Sequence, residues 1–139
     1  MNRILVVYYS STGNTKLMAE QIVLGIQSAG AEAVLAEVNE ASIDGFDKIA
    51  FGCPAMGAEV LEENEFEPFF TSIEPQLANK KVALFGSFEW GDGQWMRDWQ
   101  ERVKADQALL FKEGLIINGT PDADGDAQAY AFGAEFVRF

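Results

Sequence analysis

The chain of 139 residues has the length of one globular domain, and its 48% hydrophobic and 23% charged residues are ordinary for a globular fold. A single cysteine excludes an internal disulfide, and the absence of histidine removes the commonest general base and metal ligand, so we expect no metal site. Its 22 acidic and 10 basic residues give a net charge of −12, which argues against nucleic acid and anionic membranes as partners.

Short apolar runs recur along the chain and predict five strands. The first run, from Ile4 to Tyr8, contains no polar interruption, as expected for a strand that is buried on both faces. The predicted strands cover residues 4–8, 33–36, 48–53, 81–87 and 115–117.

Apolar residues at helical spacing predict helices between and after these strands. Gly30 is expected to end the first helix, and Asp124 is expected to cap the last one. The predicted buried faces are formed by Met18, Ile22, Ile26 and Ala29, by Trp95, Trp99, Val103 and Leu110, and by Ala129, Phe132 and Phe136.

Five buried strands joined by helices indicate an α/β fold, in which an open parallel sheet carries helices on both faces. We find no linker or repeat, and therefore expect residues 1–139 to form a single domain. Open sheets of this kind bind ligands at the carboxyl ends of their strands. The site should be built from the loops after Tyr8, Cys53 and Ser87, with residues 118–120 near its rim.

The loop after the first strand carries the sharpest signal, Ser-Ser-Thr-Gly-Asn-Thr at residues 10–15. Hydroxyl groups and free amides at the start of a helix suit a phosphate monoester, and Gly13 allows the amides to converge. A plain capped loop is the alternative, because Ser, Thr and Asn also favour caps and turns. The sequence contains neither the Walker A pattern nor Gly-x-Gly-x-x-Gly, which argues against a nucleoside triphosphatase and a dinucleotide site.

Three segments in register resemble the flavodoxins, most closely the short-chain type of anaerobic bacteria. They are residues 10–15, residues 52–57 followed by Glu59 and the acidic stretch 61–69, and residues 84–96. The resemblance covers nearly the whole chain. It implies a flavodoxin-like five-stranded parallel sheet with strand order 2-1-3-4-5, non-covalently bound FMN, and one-electron transfer.

The resemblance also implies roles for individual residues. The phosphate would be held by the side chains of Ser10, Thr12, Asn14 and Thr15, by the amides of the loop from Ser11 through Gly13 to Thr15, and by the hydroxyl of Ser87. Pro54, Ala55 and Gly91 would complete the cofactor-binding set.

Met56 and Trp90 would cover the two faces of the isoalloxazine ring, with Phe88 as a rival for the stacking role. Glu59 would accept the hydrogen bond from the flavin N3–H. Taken alone, each of these residues is better explained as core packing or as a solvated acid. Their roles therefore depend on the resemblance.

Four positions would affect the redox properties or depart from close relatives. Gly57 would begin a peptide that flips when the ring is reduced, and Ala58 replaces an Asp or Ser there, which leaves the effect on the semiquinone open. Glu89 stands where close relatives have Gly, and its side chain could point outward or toward the ring. Tyr9 replaces a Trp.

The resemblance implies a low-potential one-electron carrier that cycles between semiquinone and hydroquinone. Acidic residues on the flavin loops would disfavour the anionic reduced ring, and would steer the protein to basic-surfaced redox partners such as reductases and ferredoxin-dependent enzymes. We expect a monomer. No apolar run reaches the ~18 residues of a membrane span, and the first residues do not match a signal peptide, so we expect a cytoplasmic location.

Two other functions fit the sequence less well than an electron carrier. An FMN-dependent quinone or NAD(P)H oxidoreductase on the same fold needs a substrate cleft, and this chain has little spare length for one. A flavin-free response-regulator-like module needs paired acids after the first strand, whereas the first loop here is rich in hydroxyl groups.

Overall fold

A computed structural model describes residues 2–139, and in this range the strands form one parallel sheet. The strands are β1 (Arg3–Tyr8), β2 (Glu32–Glu37), β3 (Lys48–Gly52), β4 (Lys81–Phe88), β5 (Leu109–Leu110) and β6 (Leu115–Asn118). Their order is β2-β1-β3-β4-β5, with β6 also paired to β4. The predicted α/β fold and strand order are confirmed. The order reverses beside β1, so the loops after β1 and β3 diverge there and leave room for a ligand.

The edge beside β4 is formed by two short strands rather than one. β5 pairs with the start of β4, and β6 pairs with its end, from Phe85 opposite Leu115 to Phe88 opposite Asn118. Between them the chain leaves the sheet at Lys112, whose φ is +49°. Only β6 was predicted from the apolar runs in the sequence, and β5 was not.

Four helices in the described range cover the two faces of the sheet: α1 (Asn14–Ser28), α2 (Phe66–Ile73), α3 (Gln94–Ala105) and α4 (Ala123–Val137). Residues of β1 alternate between two hydrophobic cores, since Ile4 and Val6 pack with α1 and α4, whereas Leu5 and Val7 pack with α2 and α3. Burial on both faces is the reason for the continuous apolar run in this strand. Within residues 2–139 we find no helix of the length and hydrophobicity that a membrane crossing requires.

Two predictions about the helix ends were wrong. Leu110 lies in β5 rather than on the face of α3, because α3 ends at Ala105 and Gln107 adopts a φ of +65° that turns the chain. Asp122 rather than Asp124 caps α4, since its carboxylate accepts a hydrogen bond from the amide of Gly125 at 2.8 Å. Asp124 lies inside the first turn, where its charge still favours the helix N-terminus.

The acidic stretch 61–69 is not all loop, because α2 begins at Phe66. The Glu62 carboxylate accepts hydrogen bonds from the amides of Asn64, Glu65 and Phe66 at 2.7–2.8 Å. Burial alone would raise the pKa of Glu62, but these three amide donors lower it. Glu62 therefore acts as the anionic cap of α2.

Arg102 joins α3 to α2 and to the short turn after it. Its guanidinium pairs with Glu67 at 2.6 Å and with Glu74 at 2.7 Å, and lies 4.9 Å from the centre of the Phe70 ring. Hydrogen bonds from Arg102 lower the pKa of both glutamates. The single positive charge of Arg102 thus partly compensates these two carboxylates on the side of the sheet that carries α2 and α3.

Asp106, at the C-terminal end of α3, should make stability depend on pH. Burial, followed by the neighbouring Glu74 carboxylate, raises the pKa of Asp106 from 3.8 to about 6. The folded protein holds this proton more tightly than the unfolded chain, so stability that is present below about pH 4 is lost as the pH rises through about 6. The free energy of unfolding of Asp106→Asn minus that of wild type should therefore be about 1–2 kcal/mol larger at pH 7 than at pH 4.

Urea unfolding of both proteins at the two pH values checks this prediction. A difference between the proteins that is the same at pH 4 and pH 7 would show that Asp106 titrates alike in the folded and unfolded chains.

Candidate functional site

The loops after β1, β3 and β4 meet at the carboxyl edge of the sheet. The hydroxyl oxygens of Thr15 and Ser87 lie 2.8 Å apart, and the amide of Ala55 donates to the carbonyl oxygen of Ser87 at 3.0 Å. The residues after β6 join them, since the Thr120 hydroxyl donates to the Asn14 side-chain oxygen at 3.0 Å. Segments that are far apart in sequence thus form one rim.

The first loop leaves a row of amide donors at the start of α1. Ser10 Oγ accepts hydrogen bonds from the amides of Gly13 and Lys16 at 3.1 and 3.2 Å, and Gly13 adopts a φ of +96°. Among residues 2–139, no hydrogen bond uses the amides of the neighbouring loop residues, which are Ser11, Thr12, Asn14 and Thr15. Because unpaired amides and the positive helix end favour anions, this loop has the donor set of a phosphate site.

Buried hydroxyl groups support this loop from below. Thr15 is 1% exposed and Ser87 is 4% exposed, and the Ser87 amide donates to Thr15 Oγ1 at 3.3 Å. Their mutual hydrogen bond uses one of the two hydroxyl hydrogens, so the other remains able to donate. The pair therefore fixes the β4 end against the first loop and can still supply one donor.

The second loop is a tight turn closed by paired hydrogen bonds between Met56 and Val60, at 2.8 and 3.0 Å. Gly57 and Glu59 adopt positive φ angles of 48° and 57°, whereas Ala58 between them is not among the residues with positive φ. Glu59 rather than Ala58 therefore adopts the positive φ that residues with a Cβ tolerate poorly. Met56 lies half-buried at the base of this turn.

Glu59 connects the second loop to the third. Its Oε1 accepts hydrogen bonds from the amides of Gly93 and Gln94 at 3.1 and 2.9 Å, at the N-terminus of α3. A Cβ at Gly91 would lie 2.7 Å from the Glu59 carboxyl carbon, so glycine is required there for this approach. This positioning role of Glu59 could not be predicted from local sequence, because its partners lie 34 and 35 residues away.

The two aromatic candidates in the third loop have different surroundings. Phe88 is half-buried and its ring packs 5.7 Å from the ring of Trp95, whose indole N–H donates to the carbonyl of Cys53 at 3.1 Å. Trp90 is 77% exposed. Phe88 is therefore part of the wall, whereas Trp90 has a free aromatic face.

Glu89 points toward the first loop. The Asn14 side-chain amide donates to Glu89 Oε1 at 3.2 Å. Glu89 is exposed, but its carboxylate lies beside the first loop, a placement that neither of the two alternatives described.

Cys53 is buried beneath the site at the end of β3. Burial raises the pKa of its thiol above the ordinary value, and Sγ accepts a hydrogen bond from the amide of Glu62 at 3.4 Å. A neutral, buried thiol is chemically inert at neutral pH. Across residues 2–139 we find no group of acidic or cysteine side chains arranged to hold a metal ion.

Comparison with known proteins gives a consistent match. A family model described as flavodoxin matches residues 6–133. The chain is 44% identical over 135 residues to the flavodoxin of Clostridium beijerinckii, with 95% of this chain and 97% of the relative covered. It is 42% identical over 120 residues to the flavodoxin of Megasphaera elsdenii, with 84% of this chain and 87% of the relative covered.

The fold gives the same match. The solution structure of two-electron reduced Megasphaera elsdenii flavodoxin superimposes with a TM-score of 0.85 at 39% identity, over 95% of this chain and 98% of that one. The agreement extends over both the sequence and the fold. This chain therefore belongs to the flavodoxin family.

Proposed function

We infer that this protein is a small electron carrier that binds FMN without a covalent bond. The observation that carries the proposal is the row of unpaired amides in the first loop, facing the same rim as the exposed face of Trp90. A phosphate and a flat apolar ring are the two parts of FMN that such groups recognise. Bound FMN would accept and release two electrons, one at a time.

The first loop would bind the phosphate through uncharged donors. The amides of Ser11, Thr12, Asn14 and Thr15 have no hydrogen-bond partner among residues 2–139, and the hydroxyls of Ser10 and Thr12 would add to them. Several charge-assisted hydrogen bonds from amides can replace an ion pair with a cation. The nearest basic side chain in the sequence, Lys16, is exposed.

The other two loops would hold the ring. Met56 and Trp90 are proposed to cover its two faces, because a thioether and an indole both offer polarisable surface. Glu59 Oε1 is occupied by the α3 amides, but Oε2 has no hydrogen-bond partner among the described residues. We assign Oε2 as the acceptor for the ring N3–H, and the Gly57–Ala58 peptide as the group that responds to the ring N5.

Uncompensated carboxylates near the ring would lower the second reduction potential. Glu62 and Glu67 would lower this potential less than free carboxylates would, because backbone amides compensate the charge of Glu62 and Arg102 compensates that of Glu67. Glu59 is partly compensated in the same way by the amides of Gly93 and Gln94, so the main contributors are then Glu63, Glu65 and Glu89. One carboxylate ~10 Å from the anionic ring costs about 1–2 kcal/mol at an effective dielectric of ~20, and 1.4 kcal/mol corresponds to about 59 mV for one electron.

Membership of the family implies redox partners. We propose that these are basic-surfaced reductases and ferredoxin-dependent enzymes that dock transiently on the acidic side around Trp90. Attraction between opposite charges speeds such encounters without requiring a large interface. A cytoplasmic monomer is part of the same proposal.

Stepwise reduction of the purified protein tests this function. We expect yellow protein with one FMN per chain, and a photochemical reduction that passes through two spectrally separate one-electron steps. Mixing with NAD(P)H and a quinone should give no turnover by the protein alone. A colourless protein that takes up no FMN would refute flavin binding, whereas unaided turnover would support the FMN-dependent oxidoreductase instead.

A further inference from the structure

The side chain of Asn14 has a fixed orientation in the first loop. The Thr120 hydroxyl donates to Asn14 Oδ1 at 3.0 Å, and Asn14 Nδ2 donates to Glu89 Oε1 at 3.2 Å. Because Thr120 occupies the carbonyl side, the amide nitrogen must face Glu89. Asn14 is only 7% exposed, so it has little freedom to turn away.

The backbone that carries Glu89 is also fixed. Asn118 Nδ2 donates to the carbonyl oxygens of Phe88 and Glu89, both at 3.2 Å, and the amide of Gly119 donates to the Phe88 carbonyl at 2.7 Å. The last residue of β6 and the two residues after it therefore hold both partners of the Asn14–Glu89 contact. Glu89 itself is exposed, but its backbone position and the orientation of the Asn14 side chain are both fixed, which keeps its carboxylate beside Asn14.

Glu89 places a negative charge where the site attracts an anion. Asn14 belongs to the same row of donors as the unpaired amides of the first loop, and none of the ion pairs among residues 2–139 involves Glu89. A phosphate bound in this loop would have to displace the carboxylate from Asn14 or lie beside it. Either arrangement costs binding free energy, because like charges at short distance repel.

We propose that Glu89 competes with the phosphate of FMN for the side-chain amide of Asn14, and so lowers the preference of this protein for FMN over riboflavin. The proposal rests on the FMN-binding function proposed above. It makes Glu89 a specificity-determining residue, since riboflavin shares the ring of FMN but has no phosphate to compete for Asn14.

The test compares FMN with riboflavin as ligands of flavin-depleted protein, by titration of flavin fluorescence. In Glu89→Gln, which keeps the side-chain size, FMN affinity should increase about three- to tenfold while riboflavin affinity changes less than twofold. Glu113→Gln is the matched control, because it removes the same charge from an exposed position in the turn between β5 and β6. We expect it to leave both affinities unchanged within twofold.

Two results would overturn the proposal. One is an FMN affinity of Glu89→Gln that increases less than threefold over wild type. The other is an equal gain for both ligands, which would mean that Glu89 acts on the ring. If wild type bound neither ligand, the FMN-binding function itself would fail, so the two failures can be told apart.

A second variant separates competition from simple repulsion. In an Asn14→Ala background the carboxylate has no side-chain amide to compete for and only like-charge repulsion remains, so adding Glu89→Gln should increase FMN affinity less than it does in the wild-type background. A gain as large as in the wild-type background would overturn the competition for Asn14. Thermal unfolding of each variant verifies that the loop substitutions leave the fold intact.

Discussion

Trp90→Ala is expected to weaken FMN binding by about 10- to 100-fold. The magnitude follows from the ~1–3 kcal/mol that one aromatic stack contributes to binding a planar heterocycle. Because Trp90 is 77% exposed and contributes little to the core, the free energy of unfolding of the flavin-free protein should stay within about 0.5 kcal/mol of wild type. Titration of flavin-depleted protein with FMN and urea unfolding without FMN measure the two quantities.

Phe88→Ala is the matched comparison from the same loop. Its ring packs against Trp95 at 5.7 Å, so we expect it to lower the free energy of unfolding by about 1–3 kcal/mol and to weaken FMN binding less than Trp90→Ala does. If Phe88→Ala weakened FMN binding more than Trp90→Ala while leaving stability unchanged, the stacking role would belong to Phe88.

Of two glycine substitutions in α4, Gly133→Ala should be more damaging than Gly125→Ala. A Cβ at Gly133 would lie 2.2 Å from the carbonyl oxygen of Ile22 in α1. The contact is mutual, since a Cβ at Gly25 in α1 would lie 1.9 Å from the carbonyl oxygen of Tyr130 in α4. The two helices thus approach backbone to backbone, and backbone atoms cannot give way as a flexible side chain can. We expect a loss of about 2–3 kcal/mol in the free energy of unfolding, despite the ~1 kcal/mol that alanine gains in helix propensity.

Gly125→Ala is the control within the same helix. The Cβ there would meet only side-chain atoms, the nearest being Ile117 Cδ1 at 3.3 Å, so we expect a change within about 1 kcal/mol. Urea unfolding of both variants provides the measurement. Equal stability of Gly133→Ala and wild type would mean that α1 and α4 can separate without cost.

Several parts of the site follow from local sequence. The continuous apolar run of β1 indicates burial on both faces, and the hydroxyl-rich residues 10–15 come directly after it. A parallel sheet brings the carboxyl ends of its strands to one edge, so the meeting of the three loops could be predicted without coordinates. The roles proposed for individual cofactor-binding residues remain predictions.

The sequence of α2 also contains the local pattern of a helix. Phe66, Phe70 and Ile73 have the spacing of one helical face, and they form the buried side of α2. The acidic residues before them suggested a loop instead, although Glu62 in fact caps this helix. The helix has only 8 residues, and so short an apolar pattern is easily assigned to a loop.

By itself, the sequence determined the order of the strands and helices except α2 and β5, the edge of the sheet that carries the site, and the donor chemistry of the first loop. Each of these depends on residues that are neighbours in the chain. Only the tertiary structure decided that Glu89 meets Asn14, that Thr120 orients Asn14, and that Glu59 caps α3, across separations of 75, 106 and 34 residues. Such contacts depend on how packed elements bring distant side chains together, and no local periodicity encodes that geometry.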